Sequence, residues 1–138
     1  MHMTLILTKY RDESIEELMD PYYEGSDDNI ESKWDWYEVG GRWPGRLTLK
    51  EGAKTEPQVS FSWGWSEDEK REFLKQHPRA SDFALKKEIE NWDSLTSYAI
   101  LHDGEWIEEE GYDEPLKVSE VLKDIPDDME IVCIDYHD

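Results

Sequence analysis

The segment Trp34-Asp35-Trp36-Tyr37-Glu38-Val39-Gly40-Gly41-Arg42-Trp43 constrains this chain more than any other. It sets three of the seven tryptophans, a tyrosine and an arginine around two glycines. Rings this large need either a core to fill or a partner to cover them. In an extended strand, Trp34, Trp36 and Glu38 share one face, and Asp35, Tyr37 and Val39 the other. Gly40-Gly41 then permits a turn through positive φ. One reading makes the tryptophans core anchors, with Arg42 stacked on a ring or paired with a carboxylate. The other makes Trp34, Trp36 and Arg42 a recognition surface, since Trp and Arg dominate protein–protein hot spots.

The second constraint is charge. The 138 residues carry 35 acids against 15 Lys and Arg, a formal net charge of -20. A field of that sign repels nucleic acid and anionic lipid, and it attracts strongly basic proteins and cations. The aromatic fraction of 12% separates the chain from disordered acidic sequences and supports one compact domain over residues 1–138. The single cysteine, Cys133, excludes an internal disulfide and suits a reducing compartment. No apolar run reaches membrane length and the N-terminal residues lack a basic segment, so a cytoplasmic protein is expected.

Local patterns give an element order of β-α-β-β-β-α-α-β-β-α-β and an α+β fold. The sheet is expected to be mainly antiparallel, with three to four short helices. Met3 to Lys9 reads as a strand. Ser14 with Glu17, and Ser66 with Glu69, read as helix-opening capping boxes. Trp34–Val39, Arg46–Lys50 and the alternating Val59, Phe61, Trp63, Trp65 read as strands. Ser81-Asp82 is expected to cap a further helix carrying Phe83, Leu85, Ile89 and Trp92. Asp103-Gly104 marks a hairpin turn between Tyr98–Leu101 and Glu105–Ile107. Val118 to Leu122 reads as a helical turn and Glu130 to His137 as the last strand.

Two sets of polar residues are candidates for function. Cys133, Asp135 and His137 share a face at spacing two, and with Asp35 and His102 they offer thiolate, carboxylate and imidazole. Zinc would accept such ligands. The bland counterpart is a solvated His, a paired carboxylate and a packed Cys. Acids also cluster at Glu16, Glu17, Asp20, Glu24, Asp27 and Asp28, and again at Glu108, Glu109 and Glu110. They can be a solvated surface, or a phosphate-like array that fits a basic groove. No nucleophile elbow, phosphate loop or dinucleotide fingerprint is present. A Cys133–His137 pair on one strand would stand about 13 Å apart, too far for proton transfer. A non-enzymatic role is therefore expected.

The segments Leu18-Met19-Asp20-Pro21-Tyr22-Tyr23-Glu24 and Lys33-Trp34-Asp35-Trp36-Tyr37-Glu38-Val39-Gly40-Gly41-Arg42-Trp43 resemble those of small phage and prophage proteins. That family carries L-x-x-P-Y-x-E and KWDWY-x-x-GGRW motifs. Tyr98–Trp106 and Ile125–His137 are similar to its second half, although Tyr136 stands where its ending usually has Cys. The resemblance implies an accessory role for a mobile element. Acidic phage proteins include anti-CRISPR inhibitors, and Cas9 has a positively charged nucleic-acid channel. The expectation is an acidic, DNA-mimicking inhibitor that binds Cas9 or its guide complex. The alternatives are a zinc-binding enzyme or metal-stabilised domain, and a self-associating phage protein.

Overall fold

The structure is a computed structural model and describes residues 1–25, 32–109 and 114–138. In chain order the elements are β1 (His2–Lys9), α1 (Ile15–Met19), β2 (Trp36–Val39), β3 (Leu47–Thr48), α2 (Glu67–Gln76), β4 (Ala80–Ser81) and β5 (Phe83–Leu85). They continue with β6 (Thr96–Ser97), β7 (Ala99–His102), β8 (Glu105–Glu108), β9 (Leu116–Lys117), α3 (Val118–Val121) and β10 (Glu130–His137). Single 3-10 turns occupy Asp20–Tyr22, Lys86–Glu88 and Trp92–Ser94. The fold is α+β, as expected.

Six strands form the main sheet in the order β2-β10-β1-β7-β8, with β5 pairing the start of β10 on the edge that β2 takes further along. All these pairs are antiparallel except β1 with β7, which is parallel. The apolar runs of β1, β7 and β10 match strands buried on both faces. One face buries Ile6, Ile100, Ile131 and Cys133 under Leu49, Ile89, Val118 and Leu122. The other buries Leu5, Leu7, Leu101, Ile134 and Tyr136 under Met19 of α1.

Local chemistry sets the smaller elements. Ser14 accepts from the Glu17 N–H at the start of α1. Ser66 and Glu69 close a complete capping box on α2. The β7–β8 hairpin turns at Asp103 and Gly104, with φ of 50° and 75°, the double positive that a tight two-residue turn requires.

Two expected elements are absent among the described residues. Val59–Trp65 forms no strand, and its β-pairing among the described residues is a single bridge between Gly41 and Phe61. Residues after Ser81 form β5 and 3-10 turns instead of a helix. The reason is Asp82, whose carboxylate accepts from the distant Gly45 and Ser60 N–H groups rather than capping its own segment. Phe83–Leu85 is then free to pair with β10.

Candidate functional site

The β2–β10 register sets Trp36 opposite His137 and Glu38 opposite Asp135. The β1–β10 register adds His2 opposite His137. Alternation therefore brings Trp36, Glu38, His2, Asp135 and His137 to one face at one end of the sheet. Here that face is not covered by a helix. It opens into a cavity of about 530 Å3, whose walls also include Arg42, Ser62, Trp63 and Gly64.

Gly41 joins the two halves of this site. Its N–H donates to the Ser60 carbonyl, and its own carbonyl accepts from Ser62 N–H, so the segment before Trp63 is tied to the glycine pair. Phe61 and Trp65 pack on Phe73 of α2 and anchor that segment from behind. Trp63 is left 99% exposed, and Trp36 is 41% exposed. Gly41 has φ of +63°, and a Cβ there would stand 2.7 Å from Asp135 Oδ2 and 2.8 Å from Glu38 Oε1. Neither the conformation nor the space accommodates another residue.

The two carboxylates have different surroundings. Asp135 is 1% exposed, and each of its oxygens has a donor. His2 Nδ1 lies 2.8 Å from Oδ1, and the Arg42 backbone N–H donates to Oδ2 at 2.9 Å. Glu38 Oε1 is buried and has no hydrogen-bond partner among the described residues. Burial, and then the nearby Asp135, hold the Glu38 carboxyl above the ordinary value, opposed by His2. His137 Nδ1 lies 2.8 Å from Asp35 Oδ1, and the His2 ring sits edge-on to both His137 and Trp36.

The expected ligand set for zinc is thus divided. Asp35 and His137 pair, and Asp135 lies near them but is bound to His2. His102 is at the far end of the sheet, where its Nδ1 lies 2.7 Å from Thr8 Oγ1. The antiparallel register places His137 beside His2 but Glu130 beside Lys9, so the two ends cannot meet. Cys133 shares the face of Asp135 and His137 but is packed into the core, where burial pushes its thiol up to about 12. No group of three or more His, Cys, Asp or Glu among the described residues is placed to hold a metal ion.

The expected recognition surface is divided too. Trp34 and Trp36 do not share a face. The chain bends at Asp35, and Trp34 packs with Tyr37 on the α1 side while its Nε1–H donates to the Met19 carbonyl. Trp34 is a core anchor, and Trp36 and Arg42 belong to the pocket. Glu16, Glu17, Asp20 and Glu24 are all exposed around α1 and the turn after it. Tyr37 registers their field: burial first, then Glu16 and Asp20, raise its hydroxyl pKa. Glu108 pairs with Lys33 at 3.2 Å and accepts from Trp106 Nε1, and Glu109 is half-buried. Asp27, Asp28 and Glu110 lie outside the described residues.

Sequence reasoning missed His2, Glu38 and Trp63 as site residues. Glu38 was legible through its spacing of two from Trp36. His2 was not, because its partner is Asp135 at the far end of the chain. No family model, curated protein or solved structure matches this chain. No helix among the described residues is long and apolar enough to cross a membrane.

Proposed function

We propose that this protein is an acidic binding protein that occupies a basic surface on a nucleic-acid-binding protein and acts without catalysing a reaction. The observation that carries the reading is the net charge of -20 on 138 residues. It exceeds the magnitude of roughly 2–8 that keeps a small domain soluble. The exposed acids around α1 supply long-range attraction for a basic partner. Trp36 and Trp63 supply the large rings that anchor interfaces. With the resemblance of the Trp34–Trp43 segment to phage proteins, these features make a type II CRISPR effector in the host cytoplasm the partner of choice. The protein would occupy the channel that guide or target nucleic acid uses.

The test is Cas9 cleavage of target DNA with increasing protein, added before and after guide loading and before and after target addition. Inhibition that depends on order of addition supports the reading and identifies the blocked step. Binding should weaken steeply between about 0.1 and 0.5 M salt, as screening shortens the reach of the field. Undiminished cleavage in every order removes Cas9 as the partner, and affinity indifferent to salt removes the electrostatic mechanism.

A further inference from the structure

We propose that the pocket between Trp36 and Trp63 receives one cationic side chain, a guanidinium or an ammonium, presented by a basic protein partner. This rests on the reading above and names the contact at which the partner is held.

Three observations favour a cation. The first is the walls. Trp63 is almost wholly in water and Trp36 is half exposed, and indole is the ring that attracts a cation most strongly over its face. The second is the floor. Both Asp135 oxygens have donors, whereas the neighbouring Glu38 Oε1 is buried and accepts from no described residue. That oxygen is sealed from the pocket, so the Glu38 carboxylate acts on an occupant through its charge. A guanidinium or ammonium supplies only donors, and it carries the charge that offsets two facing carboxylates. The third is size. A cavity of about 530 Å3 has room for one long side chain.

Other occupants fit less well. A metal ion would need a convergent ligand set, and no such set is found among the described residues. An anion would face Glu38 and Asp135 directly. Arg42 lines the pocket too, and its position makes the sign of the ligand testable. If the pocket takes a cation, the Arg42 charge opposes it. If the pocket takes an anion, Arg42 is its main attraction.

The experiment uses the full chain and two single-residue probes, Nα-acetyl-arginine amide and Nα-acetyl-lysine amide, followed by tryptophan fluorescence and by NMR of the indole N–H signals. Inorganic phosphate is the anion control. A 12-residue arginine-rich peptide reports on the wider acidic surface. The expected result is saturable binding of a cationic probe, weakened about fivefold or more by Glu38→Gln and by Trp63→Ala. Arg42→Ala should tighten it by about twofold or more. Trp63 is almost fully exposed, so its removal leaves the fold intact. Glu38→Gln keeps the side-chain volume, and circular dichroism of each variant checks the fold.

Probe binding that ignores Glu38→Gln and Trp63→Ala overturns the proposal. So does phosphate binding that Arg42→Ala abolishes, which would make this an anion site. If the peptide binds in a salt-dependent way but no variant matters, the pocket inference fails and the acidic-binder reading stands. If the single-residue probes bind as expected while neither the peptide nor Cas9 binds, the pocket stands and the partner reading fails.

Discussion

Glu38 and Asp135 stand directly opposite each other on β2 and β10, with both carboxylates on the same face of the sheet. Like charges in cross-strand register are unfavourable. Asp135 is stabilised by His2 and by the Arg42 N–H, so the strain falls on Glu38. Burial and Asp135 together raise its pKa in the folded state.

That shift fixes the sign of a pH effect. A carboxyl whose folded pKa is raised favours folding while it is protonated, and it costs stability as pH rises through the unfolded and then the folded value. Glu38→Gln should therefore melt at a higher temperature than the parent protein at pH 7. The gap should close as pH falls into and below the carboxylate range. Thermal denaturation of both proteins from pH 3 to 8 checks this, and a gap that widens in acid would contradict it.

Gly41→Ala should be among the most damaging single-methyl additions in the chain. The new Cβ meets two carboxylates, and the residue holds φ of +63°. The left-handed conformation and the overpacking together should cost about 2–5 kcal/mol. The midpoint of urea unfolding measures the loss, and the same variant should lose binding in the pocket because Glu38 and Asp135 must shift. Gly52→Ala is the control, since φ there is +78° but a Cβ meets nothing within 4 Å.

Glu88 behaves in the opposite way to Glu38. Burial would raise its pKa, but hydrogen bonds from the Thr55 hydroxyl, from the Thr55 and Lys54 backbone N–H groups, and the charge of Lys87 hold it below the ordinary value. Its contribution is complete above the unfolded pKa and is lost as pH falls through the folded one. Glu88→Gln, which replaces an accepting oxygen with a donor, should destabilise by about 1–3 kcal/mol at pH 7. Chemical denaturation should show the full defect at pH 7 and a defect that shrinks as pH falls through the folded pKa.

Cys133 should be inert in the native protein. It is 1% exposed, and its thiol pKa of about 12 leaves almost no thiolate near neutrality. Ellman's reagent should react at the rate of unfolding in buffer and at once in 6 M guanidinium. Rapid labelling of the folded protein would refute the packing described for β10.

The fold was legible wherever the signal was local. Glu130–His137 is a strand over the residues its composition suggests, and Asp103-Gly104 turns a hairpin because both positions take positive φ. Ser66 and Glu69 cap α2 as their spacing requires. What the pattern could not supply was pairing across the chain. Asp82 looks like a helix cap until Gly45 and Ser60 claim its oxygens. Trp34 and Trp36 look like one face until the chain bends between them. Nothing near His2 in the sequence points to Asp135, which the β1–β10 register brings to it. A third of the pocket lining, Trp36, Glu38 and Arg42, was visible in the Trp34–Trp43 segment. Asp135 and His137 were visible at spacing two, and joining these groups to His2 and Trp63 needed contacts that no window of sequence contains.

β10 bonds to β1, β2 and β5, and it is buried along nearly its full length. A ribosome makes β1 first and β10 almost a whole chain later. At elongation rates of roughly 5–20 residues per second that interval is on the order of ten seconds. Throughout it, Leu5, Leu7 and Ile6 have no strand to meet on the β10 side, and neither β2 nor β5 has its partner. The growing polypeptide must therefore wait with an open apolar edge, and its sheet can close only after residues 130–137 have emerged.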